Sequence, residues 1–397
     1  MQILNNDTDV VLNRQQVMYL HAKGKVEKAL KENLSRHPTT AESTIKFLRS
    51  IEGSKFYCLY HRVDSRLHSE TTKGRPKTNI PPQQKEVTNM GYYFEYEDSD
   101  GKIIVDHVEF ASNFQRDLEQ FTNVHRESLR IVDTQKMLIA CAWVLPHEIK
   151  KFALFPECLF ADVTAGTNKE RRPFFHLCGK DNHNEVFTIL RAWLPSECAW
   201  VFHWINNKVL VSFYPQMLLN KIRIYITDGD PEEISQTDSF IQTNARNCIR
   251  VRCGWHITYK NLVDNKHCPP FKDSTNGKNI QKLFLGWLYR GLISGGAENK
   301  LEFDMSLSLL RRWIQSEQIV DIIGVPVSQF WLDWIEQHLL PHKQYIAFYV
   351  RFRIHHFDEC SNSANESMNR SLKYSCIKVD GNTRLDDSTM KISSNAL

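Results

Sequence analysis

Between residues 157 and 263 short apolar runs alternate with longer amphipathic ones, and this order constrains the fold more than any other feature of the chain. The first three runs are short and bounded by Pro, Gly or polar residues, which predicts strands over ECLFADVT, RPFFHLCGKD and EVFTILRAWLP. The following segments predict a helix over CAWVFHWINNKVLVSFY, a strand over KIRIYITD, a helix over PEEISQTDSFIQTN, a strand over NCIRVR and a helix over CGWHITYKNLVDN. Such an order indicates an α/β fold with a sheet of mixed direction.

Two of these predicted strands end on an acid. The first is apolar from Cys158 to Ala161 and continues with Asp162, and the fourth ends on Asp228. An unpaired charge inside a sheet costs several kcal/mol, so a neutralising partner is expected. Two divalent cations such as Mg²⁺ would serve, because carboxylate oxygens are their preferred ligands and a metal pair activates water for attack on a phosphodiester. Asp230 is the rival second acid, but it lies beyond the predicted strand end.

A third carboxylate is expected on a helix near the end of the chain. SNSANESMNRSLKY contains Glu366, and helical spacing puts Asn362, Glu366, Asn369 or Arg370, and Lys373 along one face. Glu366 would then face the metals, while Arg370 and Lys373 would lie one and two turns on, within reach of DNA phosphates. The alternative is a capped surface helix with ordinary polar residues.

Other candidate site residues follow the first and fifth strands. Lys169, Arg171 and Arg172 in TNKERRPF are candidates for DNA contact, although a basic turn is usually just solvated. Cys253 and His256 form a Cys-x-x-His element, which offers two ligands of a structural zinc site. The missing ligands would have to come from His267 and Cys268, or from His355, His356 and Cys360. The alternative is a hydrogen-bonded histidine that packs against Trp255.

Changes of composition divide the rest of the chain. The predicted segments are a helical, mildly basic N-terminal region and linker (1–82), a hairpin and helix leading into the core (83–152), the α/β core (153–268), a helical insertion (269–350), a helix closing the core (351–378) and a polar tail expected to be disordered (379–397). Within 1–82 two helices are expected, one over NRQQVMYLHAKGKVEKALKENLS and one that starts at Thr39 or Thr40, with Glu42 behind the cap. The helix of 83–152 should run through VDTQKMLIACAWVL. Tryptophans of the insertion are expected to pack in its core rather than to stack on bases.

The bulk composition excludes several protein classes. No apolar stretch approaches 18 residues and the N-terminus lacks a signal peptide's pattern, so neither a membrane protein nor a secreted one is expected. Ten scattered cysteines fit a reducing compartment. A net charge of +4 permits a nucleic-acid partner without requiring one. Neither a phosphate-binding Gly-rich loop nor a Gly-x-Ser-x-Gly elbow occurs, so nucleotide hydrolysis and serine hydrolase chemistry lack support.

Four motifs in order, LFADVTAGTNKERRPF, IYITDGDPEEI, RVRCGWHITYKN and SNSANESMNRSLK, resemble the Mutator-like element (MULE) transposases. The resemblance covers roughly residues 13–376. It implies a ribonuclease H-like catalytic core, with an all-helical insertion, in which Asp162, Asp228 and Glu366 hold two Mg²⁺ or Mn²⁺ ions for DNA cleavage and strand transfer. It further implies binding to terminal inverted repeats and target DNA, a homo-oligomer that holds two element ends, and action in the nucleus.

The chain departs from this family in one respect. Neither end carries the Cys/His cluster of a zinc-bearing DNA-binding domain or zinc knuckle. Either residues 1–90 would recognise the terminal repeats by a helix-turn-helix, or the chain is an incomplete relic of a longer element. The alternative function is a catalytically inactive, transposase-derived protein that binds DNA or regulates transcription. The presence of all three acids favours the enzyme.

Overall fold

The structure is a computed structural model that describes residues 3–4, 11–12, 23–24, 38–62, 94–106, 128–131, 136–263, 265–293, 295–351, 369 and 382–396. Its strands are β1 (Ile3–Leu4), β2 (Val11–Leu12), β3 (Lys55–Arg62), β4 (Phe94–Asp98), β5 (Ile103–Asp106), β6 (Arg130–Ile131), β7 (Lys136–Val144), β8 (Cys158–Thr164), β9 (Phe174–Lys180), β10 (Val186–Trp193), β11 (Ile224–Thr227) and β12 (Ile249–Arg252). Its α-helices are α1 (Thr40–Arg49), α2 (Pro146–Leu154), α3 (Ala199–Trp204), α4 (Leu210–Phe213), α5 (Gln216–Leu219), α6 (Pro231–Asn244), α7 (Ser274–Trp287), α8 (Lys300–Gln315), α9 (Glu317–Ile323), α10 (Val325–Trp334), α11 (Lys343–Ile346), α12 (Phe348–Arg351) and α13 (Leu385–Ala396). Four π-helical segments join or follow them: Ile205–Val209, His256–Val263, Leu288–Ile293 and Ile335–Leu339.

A sheet of ten strands organises the described residues. Its order is β12-β11-β8-β9-β10-β7-β3-β4-β5, with β6 beside β7. β11 pairs in parallel with both β8 and β12, and the remaining neighbours pair antiparallel. All strands and helices predicted between residues 157 and 263 are present. The α/β class and the mixed direction of the sheet are therefore confirmed.

The helix predicted through VDTQKMLIACAWVL is wrong, because its described part forms the strand β7. Residues 137–145 are all buried, since β7 lies between β10 and β3 inside the sheet. A short run that is apolar on every side carries neither the helical nor the strand period, so its pattern alone does not distinguish the two. The sheet thus takes in strands from the predicted segments 1–82, 83–152 and 153–268.

Two local predictions in the N-terminal part are confirmed. Thr39 caps α1: its hydroxyl accepts from the Glu42 amide and the Glu42 carboxylate accepts from the Thr39 amide. β4 and β5 form the predicted hairpin, whose turn places Gly101 at a φ of 74°. The other predicted N-terminal helix lies outside the described residues except at Lys23 and Gly24.

The segment 269–350 is helical, as predicted, and has its own apolar core. Trp331 and Trp334 are buried there, and the Trp331 ring stacks on Phe284 with centroids 4.5 Å apart. This core also takes up Ile257 and Leu262 from the π-helix after β12. The expectation of core packing is therefore confirmed for these two tryptophans.

The polar tail is not disordered over its described part, so that prediction is wrong. Residues 385–396 form α13, which packs against α1 and buries Leu385, Met390 and Ile392. Its small hydroxyl residues face two buried tryptophans: Trp143 Nε1 donates to Ser393 Oγ at 3.1 Å and Trp193 Nε1 to Thr389 Oγ1 at 2.8 Å. Low hydrophobicity misled the prediction because these hydroxyls hydrogen-bond inside the protein instead of with water.

Two further observations concern the environment of the chain. No helix in the described part of the chain is both long and apolar enough to cross a membrane. The described cysteines are all free of disulfide bonds.

Candidate active site

The two predicted strand acids come from neighbouring parallel strands. The pairing of β8 with β11 ends with Phe160 opposite Ile226, two residues before Asp162 within β8 and two residues before Asp228, which directly follows β11. Side chains at alternate positions share one face of a strand, so both acids follow the apolar cluster that contains Phe160 and Ile226. Because β8 and β11 are parallel, both acids lie toward their carboxyl ends.

Asp162 is buried and held by a chain of hydrogen bonds. Asn369 Nδ2 donates to Asp162 Oδ2 at 2.5 Å, and Asn369 Oδ1 lies 2.9 Å from His176 Nδ1. His176 Nε2 lies 2.9 Å from Thr188 Oγ1. Burial and the positive charge of Arg191 lower the pKa of His176 to about 3, so its ring is neutral at physiological pH.

These contacts determine which nitrogen of His176 carries the proton. The amide oxygen of Asn369 can only accept, so His176 Nδ1 donates to it and His176 Nε2 accepts from the Thr188 hydroxyl. β9 and β10 supply His176 and Thr188, and Asn369 comes from the Glu366 motif. The sequence had singled out neither His176 nor Thr188, since a histidine or threonine inside a strand is an ordinary residue until its neighbours are known.

Asp228 has a different partner. His256 Nδ1 lies 3.0 Å from Asp228 Oδ1. Burial lowers the pKa of His256, but its hydrogen bonds to Asp228 and Cys253 and their charges more than offset burial and raise the pKa to about 10. His256 is therefore a cation near neutral pH and pairs with the acid of the fourth core strand.

The predicted zinc element lies beside this pair. Cys253 is fully buried in the apolar cluster that contains Ile224 and Val251, and Trp255 packs edge-on against His256 with centroids 5.0 Å apart. Within the described residues no group of three or more His, Cys, Asp or Glu side chains is arranged to hold a metal ion. Zinc binding by Cys253 and His256 stays a prediction, and the hydrogen-bonded histidine that packs on Trp255 is present.

Two further carboxyl groups, those of Glu233 and Glu197, are affected by the charges of the site acids. Glu233 is buried, and its pKa is raised strongly by burial and then by the charges of Asp228, Asp162 and Asp230. Burial and the charges of Asp230 and Asp228 also raise the pKa of Glu197. The sequence analysis did not single out Glu233, because its approach to the two acids depends on how α6 packs.

Asp230, the rival second acid, has a structural role. Its Oδ1 accepts from the Glu232 amide at 2.8 Å and from the Glu233 amide at 3.2 Å, which caps α6. It also lies beyond the end of β11, as expected from the sequence.

The predicted DNA-contacting residues separate into three groups. Lys169 and Arg171 are exposed in the loop after β8. Arg172 is fully buried and donates to the Leu138 carbonyl oxygen, so the prediction that it contacts DNA is wrong. The Arg172 guanidinium is bound to a carbonyl oxygen of β7. The sequence TNKERRPF alone does not reveal which of its three basic side chains turns inward. Glu366, Arg370 and Lys373 lie outside the described residues.

The donor set suits a hard divalent cation. Asp162 and Asp228 offer carboxylate oxygens, and their charges add to burial in raising the pKa of Glu233. The predicted third ligand, Glu366, is three residues before Asn369, which contacts Asp162 directly. Asp162 and Asp228 are the described residues that could hold Mg²⁺ or Mn²⁺, and Glu366 as a third ligand stays a prediction.

Comparison with known proteins adds no identification. No protein-family model matches this chain, and no curated protein matches it either.

Proposed function

We propose that this chain is a DNA transposase of the MULE type, with a ribonuclease H-like core that cuts and joins DNA with the help of Mg²⁺ or Mn²⁺. The observation that carries the proposal is that Asp162 of β8 and Asp228, directly after β11, come from two paired parallel strands and that the charges of both act on the buried Glu233. The order β10-β9-β8-β11-β12 supports it, because the resemblance requires the first and fourth core strands to be neighbours. Action in the nucleus follows from the DNA substrate.

The residues of the site have separate tasks in this proposal. When bound, the metal ions would activate the attacking water or 3′-hydroxyl and stabilise the departing oxygen. Asn369 and His176 orient Asp162 inside the sheet, because every link of their hydrogen-bond chain is buried and satisfied. His256 orients Asp228 through its charge. No covalent intermediate on the protein is required.

The experiment is cleavage of a duplex that carries the terminal inverted repeats of the encoding element. We expect the purified chain to cut this duplex with Mg²⁺ or Mn²⁺, and we expect DNA cleavage to stop when EDTA removes the metal. DNA binding without cutting at any metal concentration would contradict the enzyme and favour the inactive DNA-binding protein.

We also propose that the chain forms a homo-oligomer, and the outer face of α8 supports a second copy as the partner. Leu301, Met305 and Leu309 follow one another at helical spacing and are 69%, 58% and 51% exposed. Asp304 lies in the N-terminal half of this face and Arg312 in the C-terminal half. An antiparallel, two-fold pairing would therefore bring opposite charges together around the apolar stripe.

Met305→Glu is expected to convert the oligomer to a monomer, because the two-fold axis would bring two carboxylates together in an apolar contact. Sedimentation velocity measures the change, and Gln318→Glu, at an exposed position of the next helix α9, is the matched control. A monomeric wild-type chain, or an oligomer that tolerates Met305→Glu, would refute this interface.

A further inference from the structure

The two arginines of β12 point to the same face of the strand but have different surroundings. Arg250 Nε donates to Asp238 Oδ1 at 2.7 Å, and its guanidinium lies 4.1 Å from the centre of the Tyr345 ring. Arg252 has no hydrogen bond or ion pair to any of the described residues, and its Nε is buried without a partner. Among the described residues the charge of Arg250 is therefore compensated, while that of Arg252 is not.

Arg252 lies at the edge of the proposed active site. Its guanidinium packs on Gly229, so closely that a Cβ added to this glycine would fall 2.1 Å from Arg252 Nε. Gly229 directly follows Asp228 and has a φ of 106°, which a side chain would strain. The glycine thus lets a cation approach the backbone next to the second acid.

Two histidines of the helical insertion face the same cation. The pKa of His338 is lowered by burial and then by the charge of Arg252, and burial and the charges of Arg252, His338 and Arg250 lower the pKa of His342 to about 4. The segment that holds them leads into α11, which contacts β12. Arg252 thus lies at the sheet edge that the insertion contacts, where its charge acts on both histidines and no carboxylate of the described residues is paired to it.

An uncompensated, half-buried guanidinium is costly unless a ligand supplies the opposite charge. A phosphate fits best, because the planar fork of arginine matches two of its oxygens and the histidines add further donors. We infer that Arg252, with His338 and His342, binds a phosphate of the DNA backbone beside the acid site. This inference rests on the proposed function for its choice of DNA as the source of the phosphate.

The test measures DNA binding without metal, so that cleavage plays no part. Fluorescence anisotropy of a labelled mixed-sequence duplex in EDTA gives the DNA affinity at salt concentrations from about 50 to about 300 mM. Over this range counterion release dominates the salt dependence of the affinity. Arg252→Gln should weaken binding to all sequences alike and reduce the slope of log K against log salt by about 1. Arg252→Lys should keep the slope, because the charge is retained.

Arg223→Gln is the matched control, because Arg223 is exposed at the opposite end of β11 and should leave the slope unchanged. Inorganic pyrophosphate should raise the melting temperature of the wild-type chain and not that of Arg252→Gln. Without anions Arg252→Gln should melt no lower than the wild type, since it removes an uncompensated charge. An unchanged slope and an unchanged response to pyrophosphate would overturn the inference.

The outcomes also separate this inference from the proposed function. If the wild-type chain does not cut DNA but the slope still falls in Arg252→Gln, the phosphate site stands and the transposase proposal fails. If the chain cuts DNA and the slope does not change, the phosphate site fails alone. A response to pyrophosphate without an effect on DNA binding would show a site for small phosphates and would contradict a DNA phosphate at this position.

Discussion

Asp162→Asn is expected to lower metal-dependent DNA cleavage by more than about 100-fold while leaving DNA binding intact, since loss of an outer partner alone typically costs 10–100-fold. The substitution keeps the shape of the side chain and removes the charge that would bind the metal. Because Asp162 accepts a hydrogen bond from Asn369, the neutral amide also loses an acceptor in a buried position. The measurement is a single-turnover rate of strand cleavage at saturating Mn²⁺, with DNA affinity measured in EDTA.

Three further variants make this test specific. Asp228→Asn should lose as much activity as Asp162→Asn, while Asn369→Ala should lose about 10–100-fold, because it removes only a hydrogen bond to a metal ligand. Asp230→Asn is the matched control: asparagine is as good a helix cap as aspartate, so folding and cleavage should persist. Equal activity of Asp162→Asn and the wild type would remove the catalytic assignment, and loss of activity only in Asp230→Asn would move the second acid to the rival position.

The largest expected effect on stability comes from the buried ion pair between Glu148 of α2 and Arg191 of β10. Both side chains are 4% exposed, and the guanidinium donates to the two carboxylate oxygens at 2.8 and 2.6 Å. Glu148→Ala should lower the free energy of unfolding by about 3–5 kcal/mol, because Arg191 would stay buried without a counter-charge. Urea denaturation followed by circular dichroism measures the change.

A surface pair provides the control for this prediction. Lys272 Nζ and Asp321 Oδ1 lie 3.6 Å apart with side chains 64% and 70% exposed, so Asp321→Ala should change stability by less than about 1 kcal/mol. The double variant Glu148→Leu with Arg191→Leu should recover much of the loss, since apolar side chains tolerate burial. A loss in Glu148→Ala no larger than in Asp321→Ala would show that the buried charges are solvated after all.

Local sequence patterns were sufficient to predict the elements of the α/β core, which follow a regular order, and the amphipathic helices, which bury only one face. The strands and helices from β8 to β12, the cap of α1 and the helical insertion all follow from local periodicity and from turn or capping residues. The two acids at the ends of β8 and β11 could be found in the same way, because a carboxylate after a buried run stands out against its neighbours.

Two segments were not assigned in this way. β7 is buried along its length from Met137 to Val144 and therefore lacks the alternation of a half-exposed strand, and α13 buries hydroxyl groups that its composition counts as polar surface. Arg172 turns inward while its neighbours Lys169 and Arg171 do not, because the Arg172 guanidinium donates a hydrogen bond to a carbonyl oxygen of β7. Such contacts join residues far apart in the chain, so no local pattern contains them.

The sequence by itself determined the order of the core elements and the two acids that end neighbouring strands. Only the tertiary structure decided what surrounds those acids: the chain from Asp162 through Asn369 to His176, the His256 cation beside Asp228, the buried Glu233 and the uncompensated Arg252. The physical reason is that hydrogen bonds and charge interactions depend on distance in space, and these partners come from separate strands and helices that the fold brings together.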